Sequence, residues 1–218
     1  GPLTAKIKAP IAEKTDQPIK FVINTHWHFD HTGGNENFGE DGTVIVAHHN
    51  VRKRMGADQV MKFFDRTVPA SPKAALPVIT FGKGVTFHLN GDTIKVKHVP
   101  PAHTDGDSIV WFKQANVLHT GDLFFNGLYP FIDVGSGGSV DGIIHAVDKL
   151  VARLDGNSKV IPGHGQLTDR AGLKAYSEML TDIRNRVRTL IKAGSTAEQV
   201  VAAKPTQAHD AKWGKGFI

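Results

Sequence analysis

Apolar residues along this chain recur at two spacings, one typical of helices and the other of strands, which predicts a mixed α/β fold. The stretch 19–25 is mostly apolar and ends in polar residues, as buried strands commonly do. Phe63 and Phe64 end a run with helical spacing, and we expect them in the core. The elements predicted here are a helix around Leu3, Ile7 and Ile11, strands at 19–25 and 43–47, a helix over 50–64 and an irregular loop over 68–77.

The middle of the chain predicts two hairpins. The runs 85–89 and 93–99 flank Asn90-Gly91, a dipeptide that favours a type I′ turn. A second hairpin is predicted from 108–113 and 117–120. The remaining predicted elements are a helix beginning at Ser139, a strand at 159–162, a long helix over 168–193 and a short helix over 196–203. Hairpins followed by strands that alternate with helices suit two mixed sheets flanked by helices.

The composition is typical of a globular protein. A chain of 218 residues can bury a full core without cross-links, and we predict a single domain over 1–218. Hydrophobic residues make up 40% of the chain and charged residues 22%. No run approaches 18 uninterrupted apolar residues, so no membrane span is predicted. The chain has no cysteine, which excludes disulfides and leaves the cellular compartment open.

A net charge of +5 raises the question of an acidic partner such as nucleic acid. The denser basic groups are the triplet Arg52, Lys53 and Arg54 and a patch of Arg184, Arg186, Arg188 and Lys192. Each is interpreted as the solvated face of a helix whose other side is apolar. We therefore expect a small-molecule substrate as the partner, and neither a nucleic acid nor a membrane.

The segment HWHFDH directly follows the strand predicted at 19–25. It places His26, His28, Asp30 and His31 within six residues. Ligands of α/β proteins tend to bind at the carboxyl ends of strands. Imidazole nitrogen and carboxylate oxygen suit zinc, iron or manganese better than magnesium or calcium.

Three further candidate ligands also follow predicted strands. His103 lies in PPAHTDGD, Asp122 ends VLHTGD, and His164 lies in VIPGHG. Each precedes glycine or a turn residue, so each side chain can project from a strand end toward one shared edge. Together with the HWHFDH segment they predict a metal site.

The segments HWHFDH, AHTDGD, HTGD and PGHG occur in this order over residues 19–165 and resemble the metallo-β-lactamase superfamily. The resemblance implies an αββα sandwich with two metal ions at one edge. It implies two zinc ions per chain, with iron or manganese as alternatives. The ligands carried over are His26, His28 and His103 for the first ion, Asp30, His31 and His164 for the second, and Asp122 as the bridge between them.

Such ligands predict a catalytic site rather than a structural one. Three neutral imidazoles leave a cation with its full charge and an open position. A water bound there has its pKa lowered to about 7, which supplies hydroxide at neutral pH. Asp30 would orient that hydroxide and pass its proton to the leaving group. Because the chain has no cysteine, the site differs from the lactamase branch that uses a thiolate at the second metal.

We predict a hydrolase that opens an ester, lactone, thioester or β-lactam carbonyl. The aromatic-rich stretch 124–131 follows Asp122, and Asn126 or Tyr129 in it could contact an oxyanion. A β-lactam carries a carboxylate that needs a nearby cation. No Lys or Arg lies between Asp122 and Lys149, which counts against that substrate.

Three other functions stay open. An iron-dependent sulfur dioxygenase shares the histidine motif but uses one metal. A phosphodiesterase or nuclease would fit the basic charge, but no basic and aromatic RNA platform is evident. The third is a metal-binding module without catalytic activity. The diiron oxidoreductases of the superfamily place glutamate where this chain has His28, which counts against them.

The chain departs from the family pattern at its start. Only 25 residues precede His26, so we expect the leading strands of the first sheet to be missing. A bare sheet edge invites pairing with a second copy, which predicts a homodimer or a domain swap. Light scattering over a dilution series should detect the dimer, and a single monomeric mass at every concentration would contradict it.

Overall fold

Two β-sheets pack face to face in the computed structural model, which describes residues 3–216. Val46 of the smaller sheet and Ile94, Val96 and Val110 of the larger sheet are buried in one cluster between them. Alternate residues of a strand point to opposite faces of its sheet, and this places those apolar side chains on the inner faces. The region between the sheets is therefore the centre of the sandwich.

Short helices surround the first sheet and two long ones belong to the second half of the chain. In the described residues the helices are α1 (Thr4–Ala12), α2 (Phe29–Thr32), α3 (Asn35–Glu40), α4 (His49–Met55), α5 (Val140–Val151), α6 (Arg170–Lys192), α7 (Ala197–Ala202) and α8 (Asp210–Trp213).

Over residues 3–216 the strands form one sheet of three, one of six and a separate hairpin. They are β1 (Phe21–Ile23), β2 (Val44–His48), β3 (Gln59–Met61), β4 (Arg66–Val68), β5 (Ile79–Phe81), β6 (Gly84–Leu89), β7 (Asp92–His98), β8 (Ser108–Phe112), β9 (Val117–His119), β10 (Lys159–Ile161) and β11 (Thr168–Asp169). The first sheet has the parallel order β1-β2-β5, and the second has the order β11-β10-β9-β8-β7-β6. Among the described strands, β3 and β4 pair only with each other.

Helices cover the outer face of each sheet. On the six-stranded sheet, Ile143 and Val147 of α5 are fully buried with Leu118 and Val160 of the strands below. Helix α5 begins where the sequence predicts, because the Ser139 hydroxyl accepts the Gly142 N–H at 3.2 Å. On the three-stranded sheet, α4 packs over Ala47 through Val51 and Met55. The layers are therefore helix, sheet, sheet and helix.

The predicted β6–β7 hairpin is confirmed. Asn90 and Gly91 both have positive φ, at 54° and 73°, as a type I′ turn requires. The register pairs Leu89 with Asp92 and continues to Gly84 with Lys97. The second predicted hairpin is present as β8 and β9.

The helix predicted over 50–64 is wrong. Helix α4 ends at Met55, and Gly56 follows it as the C-cap. The chain then turns into β3, whose residues 59–61 pair with 66–68 of β4. Phe63 and Phe64 lie in the connection between these strands and are 63% and 43% exposed, so their predicted place in the core is also wrong. Pairing between two segments of the hairpin outweighs the helical spacing of the segment.

Arg54 is not the freely solvated side chain that the sequence predicts. Its Nε and Nη2 donate to the two carboxylate oxygens of Asp105 at 2.8 and 2.7 Å. This two-point pair joins α4 to the loop between β7 and β8. The patch on α6 remains at the surface, where Arg184 and Arg188 pair with Asp141.

Strand β1 lies at the edge of the three-stranded sheet. Within residues 3–216 no strand pairs with its outer side, and a largely apolar groove of about 730 Å³ runs beside it. The groove is lined by residues from both sheets, including Phe21, Phe87 and Phe112. Self-association through this edge stays a prediction.

In the part of the chain that the structure describes, no helix has both the length and the apolar character needed to cross a bilayer.

Two stacked histidines join the sheets near the edge where β2 and β7 end. The rings of His48 and His98 are parallel, with centroids 3.7 Å apart. Burial, and next the neighbouring His98 ring, lower the pKa of His48 to about 4. Burial also lowers the pKa of His98, although the Asp107 carbonyl opposes it. Both rings are therefore held in the neutral form.

Acid should destabilise this stack. The unfolded chain binds protons at these histidines near pH 6.5, whereas the folded chain resists protonation until lower pH. The contribution of the two neutral histidines to the free energy of unfolding is fully present above pH 6.5 and is lost as the pH falls toward 4. We expect His48→Gln to lose less stability than the parent chain between pH 7 and pH 5, by on the order of 1 kcal/mol. Urea unfolding at the two pH values measures this, and equal losses would contradict it.

Candidate metal centre

The seven predicted ligands come from loops at one edge of the sandwich. Strands β7 and β9 are both antiparallel to β8, and β10 is parallel to β9, so β7, β9 and β10 end on the same side. His103, Asp122 and His164 follow these three strands in order. The loop after β1 and the short helix α2 carry the other four ligands. Segments far apart in the chain therefore meet at one place.

The first cluster consists of His26, His28, His103 and Asp122, all buried. One ligand atom from each lies within 4.8 Å of the others. His28 Nδ1 lies 2.9 Å from His103 Nε2, and Asp122 Oδ2 lies 3.6 Å from the latter atom. His26 Nε2 lies 3.7 Å from the same carboxylate oxygen. Three imidazoles and a carboxylate thus face one small space.

The second cluster consists of Asp30, His31, Asp122 and His164, also within 4.8 Å of one another. His31 Nε2 lies 3.1 Å from Asp30 Oδ2 and 3.0 Å from Asp122 Oδ1. His164 Nε2 lies 3.2 Å from Asp30 Oδ2 and 3.3 Å from Asp122 Oδ2. Asp122 belongs to both clusters, as the sequence assignment requires of a bridging ligand.

The donor atoms fit a divalent metal ion. His26 Nε2 is buried and has no hydrogen-bond partner among the described residues. A buried polar atom of this kind is costly unless something else binds it. Ring nitrogens of His28 and His103 also face each other, although two imidazoles can share only one proton between such a pair of atoms. Nitrogen and oxygen donors without a thiolate suit zinc, iron or manganese.

The two clusters hold protons differently. Burial lowers the pKa of His26, and it lowers that of His103 to about 4, so both rings are neutral and ready to bind a cation. Burial opposes the charged form of His31, but Asp122 and Asp30 outweigh it and raise its pKa to about 9. The same two carboxylates raise the pKa of His164 to about 10. A cation entering the second cluster must displace these protons, so its affinity rises with pH.

Each imidazole of the first cluster uses its other nitrogen for a protein contact. His26 Nδ1 lies 3.1 Å from the Thr25 hydroxyl, and His103 Nδ1 lies 2.8 Å from the Phe131 carbonyl. His28 Nε2 lies 3.0 Å from Asp133 Oδ2. Such outer contacts fix the orientation and tautomer of metal-binding histidines.

Sequence reasoning missed Asp133, Asp107 and the Phe131 carbonyl. Asp107 Oδ2 accepts the backbone N–H groups of His103 and Thr104 at 2.7 and 2.9 Å, which orders the His103 loop. Burial raises the pKa of Asp107 to about 7. An Asp four residues after His103 in a Gly-containing loop is typical of a turn, so the sequence could have predicted that Asp107 orders this loop. Nothing in the sequence around Asp133 has ligand spacing, and a backbone carbonyl leaves no signal.

Asn126 and Tyr129, the predicted oxyanion contacts, have other partners. Asn126 Nδ2 donates to the Gln166 carbonyl at 2.8 Å, and the Asn126 backbone N–H donates to the His164 carbonyl, also at 2.8 Å. Asn126 therefore supports the His164 loop. The Tyr129 hydroxyl donates to Asp210 at 2.8 Å, which ties it to α8 near the C-terminus.

A small apolar cavity of about 230 Å³ opens onto both clusters. Its apolar walls come from Met61, Phe64, Phe125 and Phe131. Phe29 also lines the cavity, and the polar lining is His28, Asp30, Asp122 and His164. The β3–β4 hairpin thus supplies a wall of the site through Phe64, whose ring lies 4.9 Å from that of Phe131.

Two glycines allow the chain to pack closely around Asp122, one against Thr25 and the other against Asp122 itself. Gly121 has φ +53°, and a Cβ there would lie 2.7 Å from the Thr25 side chain. A Cβ at Gly163 would overlap Asp122 Oδ1. The glycine before His164 is therefore required by the position of the shared carboxylate.

We expect Gly163→Ala to displace Asp122 and to lower metal affinity at least about tenfold, because the carboxylate serves both clusters. Metal content after dialysis against a graded chelator measures this. Gly156→Ala is the matched control, since a Cβ there meets no atom within 4 Å. Unchanged metal content in Gly163→Ala would contradict the expectation.

Comparisons with known proteins identify the family of the chain. The profile of the metallo-beta-lactamase superfamily matches residues 2–164. A probable metallo-hydrolase of Bacillus subtilis, YqgX, is 28% identical over 170 residues, which are 75% of this chain and 76% of that protein. The hydroxyacylglutathione hydrolase of Brucella ovis is 30% identical over 174 residues, or 74% of this chain. The match spans only 57% of the length of the Brucella enzyme.

Solved structures show the same fold. A metallo-β-lactamase from Pontibacter korlensis superposes with a TM-score of 0.62 and 23% identity, covering 83% of this chain and 75% of that chain. The B3 metallo-β-lactamase BLEG-1 superposes with a TM-score of 0.67 and 20% identity, covering 81% of this chain and 84% of that one. The predicted sandwich of two sheets between helices is confirmed. With the family profile matching three quarters of its length, the chain belongs to the metallo-β-lactamase superfamily.

Proposed function

We propose that this protein is a hydrolase that holds two divalent cations, zinc in the first instance, and opens an ester, lactone, thioester or β-lactam carbonyl. The observation that carries the proposal is the pair of four-residue clusters that share Asp122. A single-metal centre would need only one of them. The relatives named as a metallo-hydrolase and as a hydroxyacylglutathione hydrolase support hydrolysis as the reaction class.

The residues divide the work between them. His26, His28 and His103 would hold one cation, while Asp30, His31 and His164 would hold the other, with Asp122 between them. Cations bound in this way would supply a water of lowered pKa as the nucleophile and would polarise the substrate carbonyl.

Asp30 is placed to orient the attacking water. Its carboxylate lines the cavity and its side chain is 39% exposed, unlike the buried Asp122. Although burial opposes ionisation, hydrogen bonds from His164 and His31 hold the pKa of Asp30 below its usual value. It is therefore a carboxylate at neutral pH and can accept a hydrogen bond from water. As the new C–O bond forms, Asp30 would accept a proton from the water. It would donate that proton to the leaving group as the bond to that group breaks.

The cavity favours an apolar group beside the reacting carbonyl. Its lining contains no Lys or Arg among the described residues, and five of its nine residues are Met or Phe. Arg66 lies outside this lining, 4.6 Å from the centre of the Phe29 ring. Uncharged esters, lactones or thioesters with an apolar acyl or leaving group therefore fit the cavity better than a substrate with a carboxylate next to the scissile bond.

Metal analysis followed by a substrate panel tests the proposal. We expect two zinc ions per chain after reconstitution and dialysis, and hydrolysis of p-nitrophenyl esters or a thioester. One iron ion with oxygen consumption would instead indicate the sulfur dioxygenase. Cleavage of only bis-p-nitrophenyl phosphate would indicate a phosphodiesterase. Bound metal without turnover of any substrate would indicate a binding module, and each of these three results would overturn the proposal.

The Phe64 wall should set substrate preference. We expect Phe64→Ala to raise the KM for p-nitrophenyl hexanoate about tenfold and to leave the KM for p-nitrophenyl acetate nearly unchanged. The reason is that the longer acyl chain should contact the Phe64 ring, whereas the acetyl group should not. Steady-state kinetics on the two esters measures the difference. Val60→Ala on the same hairpin is the control, since Val60 is 64% exposed and does not line the cavity. An equal change for both esters would contradict the expectation.

A further inference from the structure

A buried carboxylate, Asp133, contacts the first cluster and is not part of the cavity lining. Asp133 Oδ2 is 3.0 Å from His28 Nε2, while the Nδ1 atom of the same ring faces the cluster. The Asp133 side chain is only 9% exposed. Among the described residues, no Lys or Arg lies within ion-pair distance of it. The imidazole of His28 is the ring that this carboxylate contacts.

Asp133 is itself held by a short network. The Ser136 hydroxyl donates to Asp133 Oδ2 at 2.6 Å, and the Ser136 backbone N–H donates to Oδ1 at 3.1 Å. Trp27 Nε1 donates to the Ser136 hydroxyl at 3.2 Å. Trp27 directly precedes His28 in the chain, so the network connects the backbone next to His28 with the ring of His28. The carboxylate has little freedom to move away from the ring.

The contact differs in kind from those of the neighbouring rings. The outer nitrogens of His26 and His103 meet a hydroxyl and a carbonyl, both uncharged. Only His28, among these three, meets a carboxylate. An ionised carboxylate accepts hydrogen bonds but donates none, so it selects the tautomer of His28 with its proton on Nε2. The lone pair is then on Nδ1, directed at the cluster, and the negative charge makes it a stronger donor.

We propose that Asp133 is a positioning residue that fixes the tautomer and orientation of His28 and strengthens its binding of the cation in the first cluster. Ser136 acts through Asp133 by holding its carboxylate against the ring. This inference rests on the proposed function, because it assigns a role toward the same metal centre. It concerns the strength and geometry of metal binding and makes no claim about the substrate.

Metal affinity is the direct test. The expected result for Asp133→Ala is a 10- to 100-fold weaker binding of one zinc ion, measured by competition with a chromophoric chelator, while the second ion is affected less. Asp133→Asn keeps an oxygen that can accept from Nε2 but loses the charge, so an intermediate loss is expected. Ser136→Ala retains the Asp133 carboxylate and should weaken zinc binding by a smaller factor. This variant tests the inference even if Asp133→Ala folds poorly.

A spectroscopic measurement separates positioning from a general loss of structure. In the cobalt-substituted protein, the visible absorption bands of one site should change in Asp133→Ala and partly recover in Asp133→Asn. The control is Asp141→Asn, an exposed carboxylate that pairs with Arg184 and Arg188 on the surface. Its affinity and spectrum should match those of the parent chain. Thermal unfolding of each metal-free variant shows whether the fold is kept.

Two outcomes would overturn the inference, and they can be told apart. If the parent chain binds two ions and hydrolyses esters, but Asp133→Ala binds zinc with parental affinity and an unchanged cobalt spectrum, the inference falls and the proposed function stands. If the parent chain binds no metal ion at neutral pH, both fall together.

Discussion

The gathering of five imidazoles and two carboxylates at one edge is the constraint on which the rest of this structure depends. Asp122 is buried, and burying a carboxylate without compensation is costly. His31 and His164 compensate it on one side, and neutral His26 and His103 face it on the other. His26 Nε2 has no protein partner among the described residues, as expected of an atom that binds a metal ion.

The loops around the site are built to keep these groups close. Gly163 lets the His164 loop pass against Asp122, and Asp107 gathers the backbone of the His103 loop. The segment 131–136 contacts two rings from behind, with a carbonyl on His103 and a carboxylate on His28. None of the candidate ligands lies within a strand, so these contacts between loops hold the ligands close together.

The apolar wall of the cavity is formed by a different part of the chain. Within residues 3–216 the β3–β4 hairpin pairs with no other strand, yet Phe64 at its tip closes the cavity against Phe131. The proposed function gives this wall the task of holding an apolar group of the substrate beside the candidate metal ligands. The likeness to lactamase structures shows the fold, whereas the lining of this cavity bears on the choice of substrate.

Local patterns in the sequence were sufficient for much of the fold. The Asn90-Gly91 turn, the Ser139 cap and the apolar stripe of α5 each follow from backbone preferences within a few residues, and the spacing of HWHFDH predicted the metal chemistry. The hairpin at 59–68 could not be predicted in this way, because the residues after Gly56 have helical spacing and only strand pairing decides against it. The same holds for Asp133, whose role depends on a ring 105 positions earlier in the chain. The sequence by itself determined which chemical groups are present and which strands precede them. The tertiary structure decided which groups contact the outer nitrogens of the histidine ligands and which side chains line the cavity. Those contacts join segments that are far apart in the chain, so local backbone preferences cannot predict them.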